Sequence, residues 1–259
     1  MELGAVELYR ALSADTNRKA LPETDPIFYG RLAAMWARAY IHGPNDARDA
    51  LNLYDVSALA HYELLNIPGG IRPGWAVTRA VLLADLRKQL NSAVAQSKKD
   101  PFGFGFPWDR WDTTSHGAGL SVMASQYDKL TGSVRYSAYA DRWLANILGT
   151  NAWGLSLIVG DGSNFPHCLQ HQVANLVGSL DGSAPVLAGA AVEGPNSAGD
   201  SGTVDKMKPC PASGVDSYAK FSGHGAEFID NVESYPNTEP ALDLTATSPL
   251  AFAWREAGG

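Results

Sequence analysis

The chain has 259 residues with 20 basic and 27 acidic side chains, which gives a formal net charge of −7. Apolar residues make up 45% of it, enough for a packed core, and this excludes a disordered or collagen-like chain. The acidic balance without a basic cluster argues against nucleic acid as a partner. No run approaches the ~18 continuous apolar residues of a membrane span, and the amino terminus lacks the pattern of a signal peptide.

Amphipathic helices are predicted through the first two-thirds of the chain. A first helix ends at Gly43-Pro44 and carries apolar residues at three- and four-residue steps: Phe28, Leu32, Met35, Trp36, Ala39 and Tyr40. The same spacing predicts helices over residues 51–65 and 75–90, and over about residues 115–130 and 134–149. A short connection joins the last two, which is typical of antiparallel neighbours.

The last third of the chain has a different composition. Glycines in an apolar frame predict an extended loop over residues 151–165, followed by a short helix over 167–178. Residues 181–236 are rich in Gly, Pro, Ser, Asp and Asn with little periodicity, and a loop of that length tends to be functional. A final helix is predicted from Pro240, a favourable first helical residue, to Trp254. Because no strand series is present, the predicted fold class is all-α.

Two histidines and two cysteines are the candidates for a metal or redox site. His167 and His171 lie four residues apart and would share one face of a helix. A metal site needs a further ligand at a usual spacing, so we predict no metal and favour a pair that lines a polar pocket or lies on the surface. Cys168 and Cys210 are either buried thiols or, if the protein is exported, one long-range disulfide.

An aromatic segment, residues 106–112, reads Phe-Pro-Trp-Asp-Arg-Trp-Asp and places three rings close together. Such rings usually fill a core. Indole faces beside Asp and Arg also suit a sugar, because the apolar face of a pyranose packs on a ring while carboxylates bind its hydroxyls. Both interpretations stay open on the sequence alone.

Glu239 is the strongest candidate for catalytic chemistry. It lies between a polar loop and the final predicted helix, directly before Pro240. A helix amino terminus lowers the pKa of a carboxyl group, whereas a general acid needs a pKa raised by burial or by nearby negative charge. Asp230, Glu233 and Asp243 are the candidate neighbours. The alternative is a carboxyl group that only caps the helix.

These residues carry a resemblance to a known family. The run from Asp230 through Tyr235 to Asn237-Thr238-Glu239-Pro240-Ala241-Leu242-Asp243 is similar to the carboxyl-terminal signature of glycoside hydrolase family 9. There, an Asp-rich stretch and a Tyr precede an Asn-Glu-x-Ala-x-Asp-x-Asn-Ala block. Other segments resemble family blocks in the same order: 54–65 a barrel helix, 111–124 a Trp-Gly-Ser-Asn helix start, 131–162 a Gly-rich loop, 165–172 a Pro-His-His-Arg loop and 189–196 a Gly-Gly-Pro-Asn block.

The resemblance implies both a fold and an activity. Family members are mostly cellulases with an (α/α)6 barrel, and they hydrolyse β-1,4-glycosidic bonds with inversion. This makes Glu239 the general acid, with Asp230 and Asp243 as structural residues near the site, and it implies a cellulose, cello-oligosaccharide or amino-oligosaccharide substrate. The implied substrate-binding residues are Trp111, His116, His171, Gln172 (where the block has Arg) and Tyr235. No cofactor is implied, and the full-length enzyme is expected to be extracellular or periplasmic.

One departure from the family pattern concerns the catalytic base. The Asp-Ala-Gly-Asp motif that holds the base in the family does not occur in this sequence, and the patterns predict about eight of the barrel's twelve helices. We therefore expect residues 1–259 to be a partial catalytic domain without its amino-terminal portion. Alone it should be inactive or very weak, with Asp109 and Asp112 as the first substitutes for the base. The alternative is a non-catalytic carbohydrate-binding remnant.

Overall fold

The computed structural model describes residues 1–15, 23–44, 51–177, 187–202, 207–222 and 225–258. These residues form α1 Glu2–Ala14, α2 Pro26–Ile41, α3 Ser57–Leu65, α4 Arg79–Ser97, α5 Thr113–Thr131, α6 Ser137–Ile147, α7 Gln172–Val177, α8 Tyr235–Thr238 and α9 Leu242–Glu256. Within them there is a 3₁₀ turn and four isolated β-bridges but no strand. The all-α prediction is confirmed. The end of the predicted helix at residue 178 and parts of the 181–236 loop lie outside the described residues.

Helix α5 is the centre of the molecule. All of it except the last turn is buried, and it packs against α4, α6 and α9. Close packing requires small residues on this helix, because a Cβ on Gly119 would collide with the carbonyl oxygen of Leu51. The helix ends at Gly132, whose φ of 65° lies in the left-handed region that favours glycine. The predicted short connection to α6 follows, and there the Asp128 carboxylate accepts the N–H of Tyr136 at 2.7 Å.

The buried face of α2 differs from the predicted one. The helix packs against α1, which the periodicity did not single out, through a mostly small-residue face: Tyr29, Gly30, Ala33, Ala34 and Ala37. Phe28 and Met35 of the predicted apolar stripe are each 47% exposed. Small side chains let neighbours approach closely, and a Cβ on Gly30 would collide with the Trp75 ring. The amphipathic helix is present, and Leu32 and Tyr40 of the predicted stripe pack against the core, but the fully buried face is the small-residue one.

The last helix corrects the expected setting of Glu239. Helix α9 begins at Leu242 with Ala241 as its N-cap, two residues after the predicted start at Pro240. Pro240 instead pairs with Val192 in an antiparallel bridge. Glu239 is consequently the residue that follows α8, in extended backbone, and it is not part of a helix amino terminus. The expectation that a helix dipole lowers its pKa therefore does not apply.

Helix α7 is shorter than predicted and follows the two histidines. It begins at Gln172, so His167 and His171 lie in the preceding loop and do not share a helical face. Cys168 and Cys210 form a disulfide with their Cα atoms 5.3 Å apart, which decides between the thiols and the bridge that the sequence left open. The disulfide belongs to a small apolar cluster that is separate from the main core.

Candidate active site

Glu239 follows a turn that buried hydrogen bonds hold in one conformation. The side-chain amide of Asn237, which is fully buried, donates to the carbonyl oxygen of Gly194 at 2.9 Å and accepts the N–H of Ile229 at 3.1 Å. The buried hydroxyl of Thr238 lies 2.9 and 3.0 Å from two backbone carbonyl oxygens. Buried polar groups that are satisfied in this way specify one backbone path. Glu239 therefore projects from a rigid support.

A second loop segment, centred on Glu193, runs beside this turn. The N–H of Glu193 donates to the carbonyl oxygen of Glu239 at 3.0 Å. The N–H of Gly194 donates to the carbonyl oxygen of Asn237 at 3.1 Å. Gly194 has a φ of 98°, and a Cβ there would collide with the Thr113 hydroxyl at the start of α5. The two loop segments and the amino end of α5 are thus packed together.

Asp112 and Glu193 form a carboxyl pair at this point, with Asp112 buried and Glu193 partly buried. Asp112 is the N-cap of α5, is 1% exposed and has a φ of 62°, which non-glycine residues rarely adopt. Its N–H donates to the Glu193 carboxyl group at 3.0 Å, and the two side chains hydrogen-bond to each other. Burial, and after it the neighbouring Asp112, raises the pKa of Glu193 to about 9. A carboxyl group whose pKa is raised this far keeps its proton at neutral pH.

The pKa of Glu239 is also raised. Partial burial is the largest cause and the nearby Asp243 carboxylate is the next, while His171 opposes both. Asp243 lies in the first turn of α9, so one of the three neighbours expected from the sequence acts on Glu239. Glu233, another of them, is exposed.

Asp230, the third expected neighbour, holds the loop that contains the histidines. Its carboxylate accepts the N–H groups of His167 and Cys168 at 3.0 and 2.8 Å. The N–H of Gln170 donates to the carbonyl oxygen of Thr238 at 3.2 Å, and this contact docks the loop on the Glu239 turn. His171 thereby comes close to Glu239, and Gln172 beside it is exposed. In the part of the chain that the structure describes, no three His, Cys, Asp or Glu side chains are grouped to bind a metal ion.

An open cleft of about 730 Å³ borders Asp112. Its lining combines aromatic, basic and polar side chains, among them Tyr54, Gln96, Lys99, Phe106, Arg110, Trp111 and His116. Glu239 does not line the cleft itself. Trp111 is 40% exposed and stacks on Tyr235 with their ring centres 6.2 Å apart, so it connects the cleft to the Glu239 turn. The Tyr235 hydroxyl in turn hydrogen-bonds to the exposed Asp200.

The rings of the aromatic segment divide between the cleft and the core. Trp108 packs against the core, edge-on to Trp153 at 5.8 Å. Phe106 lines the cleft and stacks on His116 at 3.9 Å, and His116 is only 8% exposed. Trp111 offers a ring face to solvent. The core interpretation thus applies to Trp108, while sugar binding by the exposed rings stays a prediction.

The family model of glycosyl hydrolase family 9 matches residues 1–252. This chain belongs to that family. A search of curated protein sequences gave no match.

Three solved family 9 structures are similar to this chain. A metagenome-derived endoglucanase has 20% identity over 97% of this chain and 39% of its own, with a TM-score of 0.63. The catalytic domain of Clostridium thermocellum CelT has 19% identity over 96% and 46%, with a TM-score of 0.63. The cellulase Cel9M of C. cellulolyticium, solved in complex with cellobiose, has 22% identity over 98% and 50%, with a TM-score of 0.62.

These likenesses establish the fold. The helical architecture expected from the family resemblance is confirmed, and the described helices are consistent with part of an (α/α)6 barrel. The chain spans between 39% and 50% of the length of the three structures. In the described segments, no helix has the length and apolar character needed to cross a membrane.

Glu193 is the site residue that sequence reasoning missed. The family 9 blocks contain a signal that identifies it, because Asp112 stands at the Gly of Trp-Gly-Ser-Asn and Glu193 at the first Gly of Gly-Gly-Pro-Asn. The left-handed φ of Asp112 agrees with a glycine position. Two acidic residues that each replace a glycine, 81 positions apart in the chain, meet in the fold.

Proposed function

We propose that this family 9 chain acts in the hydrolysis of β-1,4-glycosidic bonds in cellulose or in cello- or amino-oligosaccharides, with Glu239 as the general acid of an inverting reaction. The observation that carries the proposal is the setting of Glu239, on a rigid turn and with a pKa raised by burial and by Asp243. Such a carboxyl group keeps its proton to higher pH than an ordinary glutamate. Protonation of a leaving-group oxygen requires this property.

The surroundings of Glu239 support a sugar ligand. Trp111 and Tyr235 form a stacked, partly exposed aromatic surface between the cleft and the Glu239 turn. Aromatic faces of this kind bind the apolar faces of pyranose rings. His171, which acts on Glu239, and the exposed Gln172 beside it are the polar side chains that we assign to the hydroxyl groups. The cellobiose bound to the similar Cel9M supports a β-1,4-linked glucose unit as the ligand.

The second carboxylate of the reaction, the catalytic base, has no well-placed residue at this site. Inversion needs a base that activates a water molecule across the ring, about 6.5–9.5 Å from the acid. Asp112 is 1% exposed and is engaged by Glu193, so it is poorly placed to hold that water. Asp109, the other substitute expected from the sequence, is an exposed loop residue. We propose that residues 1–259 are part of a catalytic domain and that alone they cleave glycosides weakly or not at all.

The disulfide supports export of the full-length enzyme. A bridge between Cys168 and Cys210 persists in oxidising compartments and is rare in the reducing cytosol. An extracellular or periplasmic location also matches the location of a polymeric substrate.

Chemical rescue with azide tests the assignment of Glu239. Azide replaces the base and the water: it attacks the anomeric carbon on the face opposite the leaving group, the glycosidic C–O bond breaks, and Glu239 gives its proton to the leaving oxygen. The products are an α-glycosyl azide and a shortened oligosaccharide. We expect the purified chain to cleave cellotetraose only in the presence of azide, with the α product identified by NMR.

Variants separate this function from its alternative. Glu239→Gln should abolish the azide-dependent cleavage and leave cellotetraose binding, measured by calorimetry, in place. Glu233→Gln, an exposed glutamate in the same loop, is the matched control and should cleave like the wild type. Binding without cleavage in azide would favour a non-catalytic carbohydrate-binding role. Cleavage that survives Glu239→Gln would contradict the assignment of the acid.

A further inference from the structure

The carboxyl pair of Asp112 and Glu193 has no part in the reaction proposed above. We propose that Asp112 and Glu193 share one proton across their contact, and that this pair is a positioning device that holds the turn carrying Glu239 against the amino end of α5. The inference rests on the proposed function of Glu239. Neither Asp112 nor Glu193 needs to touch the substrate in this role.

Glu193 contacts each of the parts that must be held together. Its side chain accepts the N–H of Asp112 at 3.0 Å. Its carbonyl oxygen accepts the N–H of Thr114 at 3.3 Å and lies 3.3 Å from the Thr113 hydroxyl, so it caps the first turn of α5. Its own N–H donates to the carbonyl oxygen of Glu239 at 3.0 Å. One residue therefore links the central helix to the backbone of the proposed acid.

The backbone of Asp112 shows that this contact is under constraint. A φ of 62° and a ψ of 31° are unfavourable for a residue with a side chain, and such a conformation persists only where the surroundings enforce it. Here the side chain of Glu193 binds the Asp112 N–H in that conformation.

The charges that face Glu193 explain why the pair keeps one proton. Two carboxyl groups in contact cannot both ionise without strong repulsion. Glu239, after α8, is the next carboxyl group that acts on Glu193. The hydroxyl of Tyr54, before α3, hydrogen-bonds to Asp112. Ionisation of Glu193 would therefore place a further negative charge beside these groups and push the junction apart.

Substitutions of Glu193 test the pair through stability. Burial and Asp112 raise the pKa of Glu193 to about 9, so its contribution is complete below the ordinary glutamate pKa and declines as pH rises towards about 9. Glu193→Gln keeps one donor and one acceptor and cannot ionise. We expect it to match the wild type below the ordinary glutamate pKa, to lose this decline and so to be more stable than the wild type near neutral pH. Glu193→Ala, which removes the contact, should be less stable than Glu193→Gln at every pH. The measurement is urea unfolding across the pH range, with Glu233→Gln as the control that keeps the wild-type decline.

Carbon-13 NMR of labelled glutamate carboxyl groups tests the positioning role directly. We expect Glu239 to titrate alike in the wild type and in Glu193→Gln, and to move towards the ordinary glutamate pKa in Glu193→Ala, because the turn is released. Three results would overturn the proposal: a Glu193 signal that titrates in the ordinary range, equal damage from Gln and Ala, or a Glu239 titration that none of the variants changes. Azide rescue in the wild type reports separately on Glu239 as the acid. If rescue fails while these NMR results hold, the acid role is wrong and the positioning of the turn still stands.

Discussion

Two glutamates, one buried in the helical scaffold and one partly buried at the site, have their pKa raised by burial and meet partners of opposite kinds. Glu2, 6% exposed on α1, lies 2.8 Å from the Nδ1 atom of His61 on α3, and Asp85 of α4 lies 3.7 Å from the other ring nitrogen. Glu193 meets the carboxyl group of Asp112. The histidine opposes the effect of burial on Glu2, whereas the aspartate adds to the effect of burial on Glu193.

The difference shows how the two regions tolerate buried polar groups. In the scaffold, two carboxyl groups and an imidazole ring from three helices contact each other, and the group joins α1, α3 and α4. At the site, two carboxyl groups meet, and a proton on one of them removes the repulsion between them. We therefore expect the scaffold to depend on its partner residues and the site to depend on pH.

The largest expected effect is loss of the scaffold partner. His61 is fully buried, so His61→Leu leaves the carboxyl groups of Glu2 and Asp85 without it. Removal of one partner from a buried charged group costs about 3–5 kcal/mol, and we expect a loss of that size in the free energy of urea unfolding. His42→Leu, an exposed histidine at the end of α2, is the control and should change little. A small loss for His61→Leu would show that the scaffold does not depend on this partner.

The second-largest expected loss of stability comes from removal of the disulfide, which belongs to the site region and not to the helical scaffold. Cys168 and Cys210 are 42 positions apart and their cluster is small, so few apolar contacts replace the bridge. Removal of a disulfide that closes a long loop costs roughly 2–4 kcal/mol. We expect the Cys168→Ser/Cys210→Ser variant to lose that much in urea unfolding, and reductant to bring the wild type to the same value. A reductant effect on the double variant would point to another cause.

A glycine at the junction should have a smaller effect. Gly194→Ala adds a side chain at a φ of 98° and against the Thr113 hydroxyl, so we expect a loss of roughly 1–3 kcal/mol in thermal unfolding. Gly214→Ala is a matched control, because its φ is 66° and its Cβ meets open space. The excess loss at Gly194 over Gly214 measures how tightly the Glu193 segment packs on α5. Equal losses would mean that only backbone strain matters.

The smallest expected effect distinguishes the two glutamates by pH. Both have a raised pKa, so both stabilise the fold fully below the ordinary glutamate pKa, and both contributions decline as pH rises through the folded pKa. For Glu193 the decline extends to about 9, whereas His61 limits it for Glu2. Glu2→Gln should therefore flatten the pH dependence of unfolding less than Glu193→Gln does. A larger flattening by Glu2→Gln than by Glu193→Gln would contradict the expectation that the site depends on pH more than the scaffold does.

The sequence predicts elements that depend on local pattern and misses contacts that depend on distant segments. The α5–α6 connection follows from neighbouring residues and was predicted. The buried face of α2 was not, because Gly30 and Ala33 are buried through close approach to other segments, and a count of large apolar residues does not register this. Glu193 was missed for a similar reason, since its meaning comes from a partner 81 positions away.

The expected role of Glu239 came from a motif, whereas its environment came from the structure. From the sequence, a helix dipole was expected to lower the pKa of its carboxyl group. Helix α9 starts later than predicted, so that effect does not apply. Its proximity to His171 depends on the docking of one loop on another through Gln170 and Thr238. Spacing in the sequence does not report such a contact.

The dependence of cleavage on the leaving group tests the acid role of Glu239 most directly. In the presence of azide, the Glu239→Gln variant should lose about 10²–10⁴-fold in the rate of cleavage of cellotetraose, whose leaving oxygen needs a proton. It should cleave a dinitrophenyl cellobioside at nearly the wild-type rate, because that leaving group departs without one. An equal loss on both substrates, or no loss on cellotetraose, would contradict Glu239 as the general acid.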